Sequence, residues 1–367
     1  MPKITRSDVK VPGDVSAQAR ETYIDNYLKA TRGTGRLMLF ACDQKIEHLN
    51  GDFFGPDISI EDARPEHLFE IGSRGVCGIL AGQRGLIAQY APDYPDINYL
   101  VKMNSKTNLV KGSQDDPYSP QLYSFDAVLE MIDNGVNVVG IGYTIYLGSE
   151  YEPQMMSEAG ELIAQAHAAG LIVVLWMYPR GKAVANEKSA HLIAGAAGTA
   201  LCLGADFVKV NPPKGKAEDE PVATAELEAA IAAGSGLIGT TLEAAAGVEL
   251  SASQCAAKKL IEASAASGRT GLVCAGGSTV EAKVFLQQLW DQIHIGGARG
   301  NATGRNIHQR PLDEAVRLTK AISAITLGDA SAEEALEVFE GTKDFNLDTT
   351  AEDDGPHYYF EITEISF

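Results

Sequence analysis

The stretch ADFVKVNPP, residues 205–213, carries a lysine in the middle of what otherwise reads as a core strand. Phe207, Val208 and Val210 are apolar, and Pro212 and Pro213 stop the strand just behind them. An apolar surround disfavours an ammonium and frees an amine to attack a carbonyl. Lys209 therefore reads either as a Schiff-base nucleophile or as a strand-end lysine that snorkels to solvent or pairs with an acid. Its neighbours decide between the two. Asp43 closes the apolar run LMLFACD, where a carboxylate is costly unless it is paired or sits at a site. In LIVVLWMYPRG, Trp176 and Tyr178 are two residues apart and point to one face of a strand. If that face lines a barrel, the Tyr178 phenol lies next to the lysine and can pass a proton to and from carbon or oxygen. Trp176 reads equally well as core filling.

A second cluster is rich in glycine. AGGST, residues 275–279, ends one strand and opens a helix, and GGARGNATGRN, residues 296–306, follows the next. Two adjacent turns of this kind after the last two strands are where barrels build phosphate sites from backbone N–H groups. Arg305 adds a charge-assisted contact. GARGNATG lacks the strand-to-helix setting and the following acid of a dinucleotide fingerprint. Glu47 and His48, in DQKIEH, follow Asp43 with no second ligand at metal spacing, so substrate contact is favoured over a metal. Lys102, inside NYLVKMN, reads as a second cation facing the barrel or as the ion-pair partner of Asp43; Arg180 and Lys182 read as loop charges near a distal phosphate.

The elements that must hold these residues recur. Apolar runs at 37–43, 75–81, 98–104, 136–145, 171–178, 205–211 and 271–277 are near-continuous, as expected for strands buried on both faces of a parallel sheet. Helical patterns lie between them, such as EPQMMSEAGELIAQAHAAG with its stop at Gly170. A weaker eighth strand falls in IHIGGARGNA. This alternation predicts a TIM-type (β/α)8 barrel, one domain over 1–367 with its core at about 35–327. Outside the repeat lie an N-terminal helix at roughly 15–31 that plugs the barrel bottom, an insert at 212–250 after the sixth strand, and a C-terminal extension, 328–367. The extension holds an acidic helix and HYYFEITEISF, which reads as an added strand or an oligomer contact.

The chain has 367 residues, 45% of them hydrophobic, and a net charge of −19, which argues against nucleic acid and anionic membranes as partners. A local positive pocket for a small phosphorylated ligand remains open to it. The five cysteines are widely spaced without a CxxC pair; four lie in or next to apolar runs and read as buried free thiols. There is no apolar signal segment and no run near the roughly 20 residues of a membrane span, so a soluble cytoplasmic protein is expected.

Taken together, ACDQKIEH, GYTIYLGSE, LWMY, ADFVK and the late GG and GRN resemble the archaeal-type class I fructose-bisphosphate aldolases, the DhnA family, and within it the longer bacterial branch. The resemblance runs from about residue 35 to 327. It implies a lyase that cleaves fructose 1,6-bisphosphate through a covalent imine on Lys209, without cofactor or metal. It makes Tyr178 the general acid/base and Asp43 the partner in carbinolamine formation and cleavage, with Trp176 and His48 lining the pocket. Gly276, Gly277, Gly304 and Arg305 would hold the phosphate nearest the ketone, and Ser278 beside the glycine pair is a further substrate-binding candidate. Two positions depart from the pattern: Gln44 and Lys45 replace the His-Gly that usually follows the aspartate, and Ser278 and Thr279 stand where a lysine often follows the glycine pair. The rival readings are another imine-forming aldolase, transaldolase or acyl transferase, a metal-dependent aldolase, and a silent sugar-phosphate-binding barrel. A homo-oligomer is expected from the apolar alternation of the tail.

Overall fold

Strands that are apolar on both faces must be covered on both, and a parallel arrangement needs a helix to carry the chain back after each strand. The computed structural model, which describes residues 3–110, 115–213, 251–347 and 358–362, meets both demands with eight strands closed into a barrel in chain order. They are β1 (Leu37–Ala41), β2 (Ile79–Gln83), β3 (Tyr99–Lys102), β4 (Val138–Leu147), β5 (Ile172–Pro179), β6 (Phe207–Val210), β7 (Gly271–Ala275) and β8 (Gly300–Thr303). All neighbours pair in parallel, and β1 closes the ring on β8 through Leu37 opposite Gly300. The TIM-barrel expectation stands.

The period of two divides the core into two shells. Leu37, Leu39 and Ala41 of β1 point inward with Ile79, Leu100, Val174, Trp176 and Phe207. Met38 and Phe40 point outward into the layer packed by the helices, where Leu68, Val128, Leu162 and Leu318 meet them. Placing Lys209 two residues after Phe207 therefore aims it into the barrel.

Some expected boundaries move. β2 begins at Ile79 because Gly75 still caps the helix Glu66–Arg74, its N–H donating to the Ile71 carbonyl. β8 occupies only the end of IHIGGARGNA, because Ile293 and His294 finish the helix Ala282–His294. Three cysteines are buried rather than four: Cys42, Cys77 and Cys274 lie inside, while Cys202 and Cys255 are exposed. Cys202 lies near the end of the helix Ala190–Leu203, beside exposed Leu201, on the face that its buried alanines leave to solvent. Apart from Pro212 and Pro213, the 212–250 insert lies outside the described residues. The C-terminal helix is Ala332–Glu340, followed by β9 (Lys343–Leu347), which pairs antiparallel with β10 (Tyr358–Ile362), inside HYYFEITEISF. Among the described residues no helix is long and apolar enough to cross a membrane.

The N-terminal helix Arg20–Thr31 covers the end of the barrel away from Lys209, starting later than the sequence suggested. Tyr27 stacks on Phe207 with ring centroids 5.8 Å apart. The Tyr23 hydroxyl donates to Asp206, whose other oxygen meets His167 Nε2 at 3.3 Å and the Val173 N–H at 2.7 Å. His167 Nδ1 meets Asp14 at 2.8 Å. Burial opposes a charge on His167, but the two aspartates outweigh it and push its pKa up to about 9.

A group whose folded pKa is raised stabilises fully below its unfolded value, about 6.5, and loses that contribution as the pH climbs through about 9. Thermal melts should therefore show wild type exceeding His167→Gln by most near pH 6, with the gap narrowing by pH 10. A gap that stays constant over that range would show that His167 carries no charge in the fold.

Candidate active site

The opposite mouth of the barrel gathers charge. One cavity is lined by Asp43, Gln44, Glu47, His48, Tyr146, Trp176, Tyr178, Arg180, Lys209 and Asn211, together with Gly276, Gly277, Gly304 and Arg305. Every strand supplies its C-terminal end or the loop behind it, apart from β2 and β3, whose last residues lie one layer deeper.

Strand register sets the neighbours. β5 and β6 pair Trp176 with Lys209, and the Lys209 Nζ lies 5.3 Å from the indole ring. β4 and β5 pair Tyr146 with Tyr178, their rings 6.3 Å apart. Asp43 follows β1 and opens the short helix Gln44–Glu47; its side chain is nearly fully buried, and Lys102 of β3 reaches it at 3.6 Å. Among the described residues, Asp43 Oδ1 and Trp176 Nε1 are buried without a hydrogen-bond partner. A carboxylate oxygen and an indole N–H in that state are set for polar atoms of a bound molecule, because leaving them unpaired costs about 1–3 kcal/mol each.

The electrostatics favour a reactive amine. Burial lowers the Lys209 pKa, the Lys102 and Arg305 charges act the same way, and Asp43 and Glu47 act against it. Burial, then the carboxylates of Asp43 and Glu47, hold the Tyr178 phenol well above its ordinary value, so it stays protonated and able to donate. Burial also raises Glu47, against the nearby charge of Lys102. An amine whose charged form is disfavoured, beside a protonated phenol and a carboxylate, is the equipment for forming and hydrolysing an imine.

The glycine turns are built together. Asn306 Nδ2 donates to the carbonyls of Gly276 at 2.9 Å and Ser278 at 3.0 Å, and its Oδ1 accepts from the Val280 N–H at 2.9 Å. The turn after β7 is thereby tied to the turn after β8. Gly277 takes φ +70°, the left-handed region that glycine enters without strain. At Gly304 a Cβ would meet the Ala41 carbonyl at 2.6 Å and the Gln44 amide closer still, so only glycine lets the two loops touch. Asp52 holds the outer edge: it meets His48 Nδ1 at 2.5 Å and Arg305 Nε at 3.6 Å, and both residues line the cavity.

Of the residues expected from sequence, Lys209, Tyr178, Asp43, Trp176, His48, Gly276, Gly277, Gly304 and Arg305 meet here. Ser278 is exposed and contributes its carbonyl to Asn306 rather than a side chain to the cavity. Arg180 lines the cavity over Tyr146, its guanidinium carbon 5.7 Å from the ring, whereas Lys182 pairs with Asp116 at 2.8 Å outside it. Gln44 fills the position where a histidine was expected, and Lys45 turns away onto the Phe53 ring at 4.1 Å. Tyr146, Asn211 and the clamp Asn306 do not stand out in the sequence as single residues, although all three lie inside quoted motifs. Among the described residues no three His, Cys, Asp or Glu side chains group as a metal centre.

Comparisons with known proteins agree with this geometry. Residues 37–310 match the family described as DeoC/LacD family aldolase. A fructose-bisphosphate aldolase/6-deoxy-5-ketofructose 1-phosphate synthase of Methanocaldococcus jannaschii is 50% identical over 343 residues, 93% of this chain and 97% of that one. The structure of a fructose-bisphosphate aldolase from Slackia heliotrinireducens is 67% identical, with a TM-score of 0.83 over 94% of this chain and 98% of that one. An archaeal fructose-1,6-bisphosphate aldolase whose catalytic lysine is covalently bound to the carbinolamine intermediate is 25% identical, with a TM-score of 0.62 over 82% of this chain and 98% of that one.

Replacing Gly304 by alanine should force the β1 and β8 loops apart. Chemical denaturation is expected to show a loss of about 1–3 kcal/mol, as for other overpacked sites. An alanine variant as stable as wild type would mean that the loops do not depend on this contact.

Proposed function

The chain belongs to the DeoC/LacD family of aldolases, and on that premise we propose that it is a class I fructose-1,6-bisphosphate aldolase whose Schiff base forms on Lys209. The observation that carries the residue assignment is a buried amine, its proton affinity lowered, in one cavity with the Tyr178 phenol and the Asp43 carboxylate.

The Lys209 nitrogen attacks C2 of the open-chain ketose, and the amine proton passes to the carbonyl oxygen to give a carbinolamine. A proton from Tyr178 lets that hydroxyl leave as water, and the nitrogen lone pair closes the iminium. The C4 hydroxyl then gives its proton to a carboxylate, with Asp43 placed for this. The C3–C4 electron pair moves onto C3 and into the iminium, and glyceraldehyde 3-phosphate departs. Asp43 passes the C4 hydroxyl proton to the Tyr178 phenolate, Tyr178 protonates the enamine at C3, and the water that adds at C2 returns a proton to Tyr178 as dihydroxyacetone phosphate leaves with the amine restored. The iminium is the electron sink, so the cleavage needs no metal Lewis acid. In this reading the turns at Gly276–Gly277 and Gly304–Arg305, which line the same cavity, hold the C1 phosphate by backbone N–H groups and the guanidinium. His48 and Trp176 complete the substrate contact.

A second reading is the aldol synthesis of 6-deoxy-5-ketofructose 1-phosphate, favoured by the double activity named for the M. jannaschii relative. It uses the same imine with a different acceptor aldehyde. Because sugar bisphosphates are charged and stay on the side of the membrane where they are made, the protein fits the cytoplasm and a role in glycolysis and gluconeogenesis. The apolar alternation of HYYFEITEISF supports a homo-oligomer.

Borohydride reduction in the presence of dihydroxyacetone phosphate should fix the ligand on the peptide that contains Lys209. Lys209→Met should lose both the adduct and turnover; a methionine variant that still cleaves substrate would sink the assignment. Tyr178→Phe should slow formation of the adduct on Lys209 and lower turnover by roughly 10²–10⁴-fold. Arg305→Gln is expected to raise KM for fructose 1,6-bisphosphate about tenfold or more, with trapping intact at saturation. An unchanged KM would remove Arg305 from the phosphate site.

A further inference from the structure

We propose that Lys102 is a positioning residue for the imine chemistry: a buried cation that occupies Asp43 from beneath and so leaves Lys209 as a free amine. The proposal rests on the reading of Lys209 as the imine-forming residue.

Lys102 ends β3, two residues after inward-facing Leu100, and its side chain is fully buried. It is not part of the cavity wall, so no substrate atom touches it and its influence must pass through its neighbours. Its Nζ donates to Thr144 Oγ1 at 2.5 Å, lies 3.6 Å from Asp43 Oδ2 and sits 4.6 Å from the Trp176 ring. The same indole carries Lys209 at 5.3 Å, so two lysines and one carboxylate share the centre of the barrel.

The charges around Lys209 come from every side. β1 supplies Asp43, the helix behind it Glu47, β3 Lys102, and the helix Arg305–His308 supplies Arg305, while β5 presents the neutral Tyr178. β2 and β4 offer uncharged groups: the Gln83 amide, which donates to the Asp43 carbonyl, the Thr144 hydroxyl and the Tyr146 phenol. An aspartate whose nearest cation was Lys209 would draw a proton onto that amine and silence it. Lys102 gives Asp43 its counter-charge one layer down, and an ammonium at Lys209 would meet a like charge instead. The same fixed cation favours electron flow into the iminium, since cleavage turns that cation into a neutral enamine.

The test measures the rate of borohydride-trapped adduct formation with dihydroxyacetone phosphate from pH 6 to 10.5, with peptide mapping. Wild type is compared with Lys102→Gln, which keeps a donor for Thr144 without the charge, and with Lys102→Arg, which keeps the charge. Lys102→Met serves as a second neutral replacement should the glutamine variant fail to fold. In the neutral variant the pH of half-maximal trapping on Lys209 should rise by about one unit or more. Its rate should fall about tenfold at pH 7 and approach wild type at the alkaline end, and arginine should restore the wild-type midpoint. A uniform loss with an unmoved midpoint would reduce Lys102 to a structural role, and an adduct on the Lys102 peptide would make it a nucleophile; either overturns the proposal. Wild type that traps nothing on Lys209 would instead overturn the imine reading itself, and this proposal with it.

Discussion

Desolvation of one amine is the constraint to which the upper half of the barrel answers. Taking a lysine out of water disfavours its charged form, which makes it reactive but also makes its surroundings exacting. Charged partners cannot simply be added, because a carboxylate that steadies an ammonium also removes the nucleophile. The arrangement around Lys209 resolves this by depth. Asp43 and Lys102 form a nearly closed pair, Trp176 stands level with the amine, the neutral Tyr178 lies one repeat further along the same strand, and Arg305 and His48 line the cavity mouth. Each layer follows from the two-residue repeat of parallel strands, which alternates interior and exterior positions at fixed heights.

The loops then answer to the strands. Asn306 ties the turn after β7 to the turn after β8, Thr279 bonds Gln309 at 2.6 Å, and Gln309 donates to the Asp52 carbonyl at 2.9 Å. Asp52 in turn holds His48 and Arg305. Behind this rim His308 Nδ1 meets Asp62 at 2.7 Å, both fully buried, which anchors the helix that begins with Arg305. A guanidinium on a short helix is thus fixed from three directions. That is how a site made from loops acquires the rigidity that orienting a substrate demands.

What was legible in the chain follows the same physics. Lys209, Asp43, Trp176 and Tyr178 stood out because each breaks or ends an apolar run, and the runs themselves report strands buried on both faces. β8 gave a faint signal because its residues near the site are Asn301 and Thr303, buried but polar, so no apolar run marks it. Tyr146 becomes a neighbour of Tyr178 only through the register of β4 against β5, and register between strands is not written in either strand alone. Asn306 earns its place by bonding backbone carbonyls of a different loop, which no spacing rule reveals. Cys202 is exposed despite its apolar neighbours because an alanine-rich helix offers little contrast in sequence between its buried and exposed faces.

Closing the ring through Leu37 and Gly300 also governs how the molecule comes into being. The first strand to leave the ribosome waits for the last before its edge is covered, and the helix that seals the far end waits for Asp206. Much of the chain must therefore be synthesised while the β1 edge and the face of the first helix stay open to water. Such long-range pairing slows folding and exposes the nascent chain to wrong partners. A net charge of −19 makes such unfinished chains repel one another, so the acidity of the sequence bears on assembly as well as on the folded state.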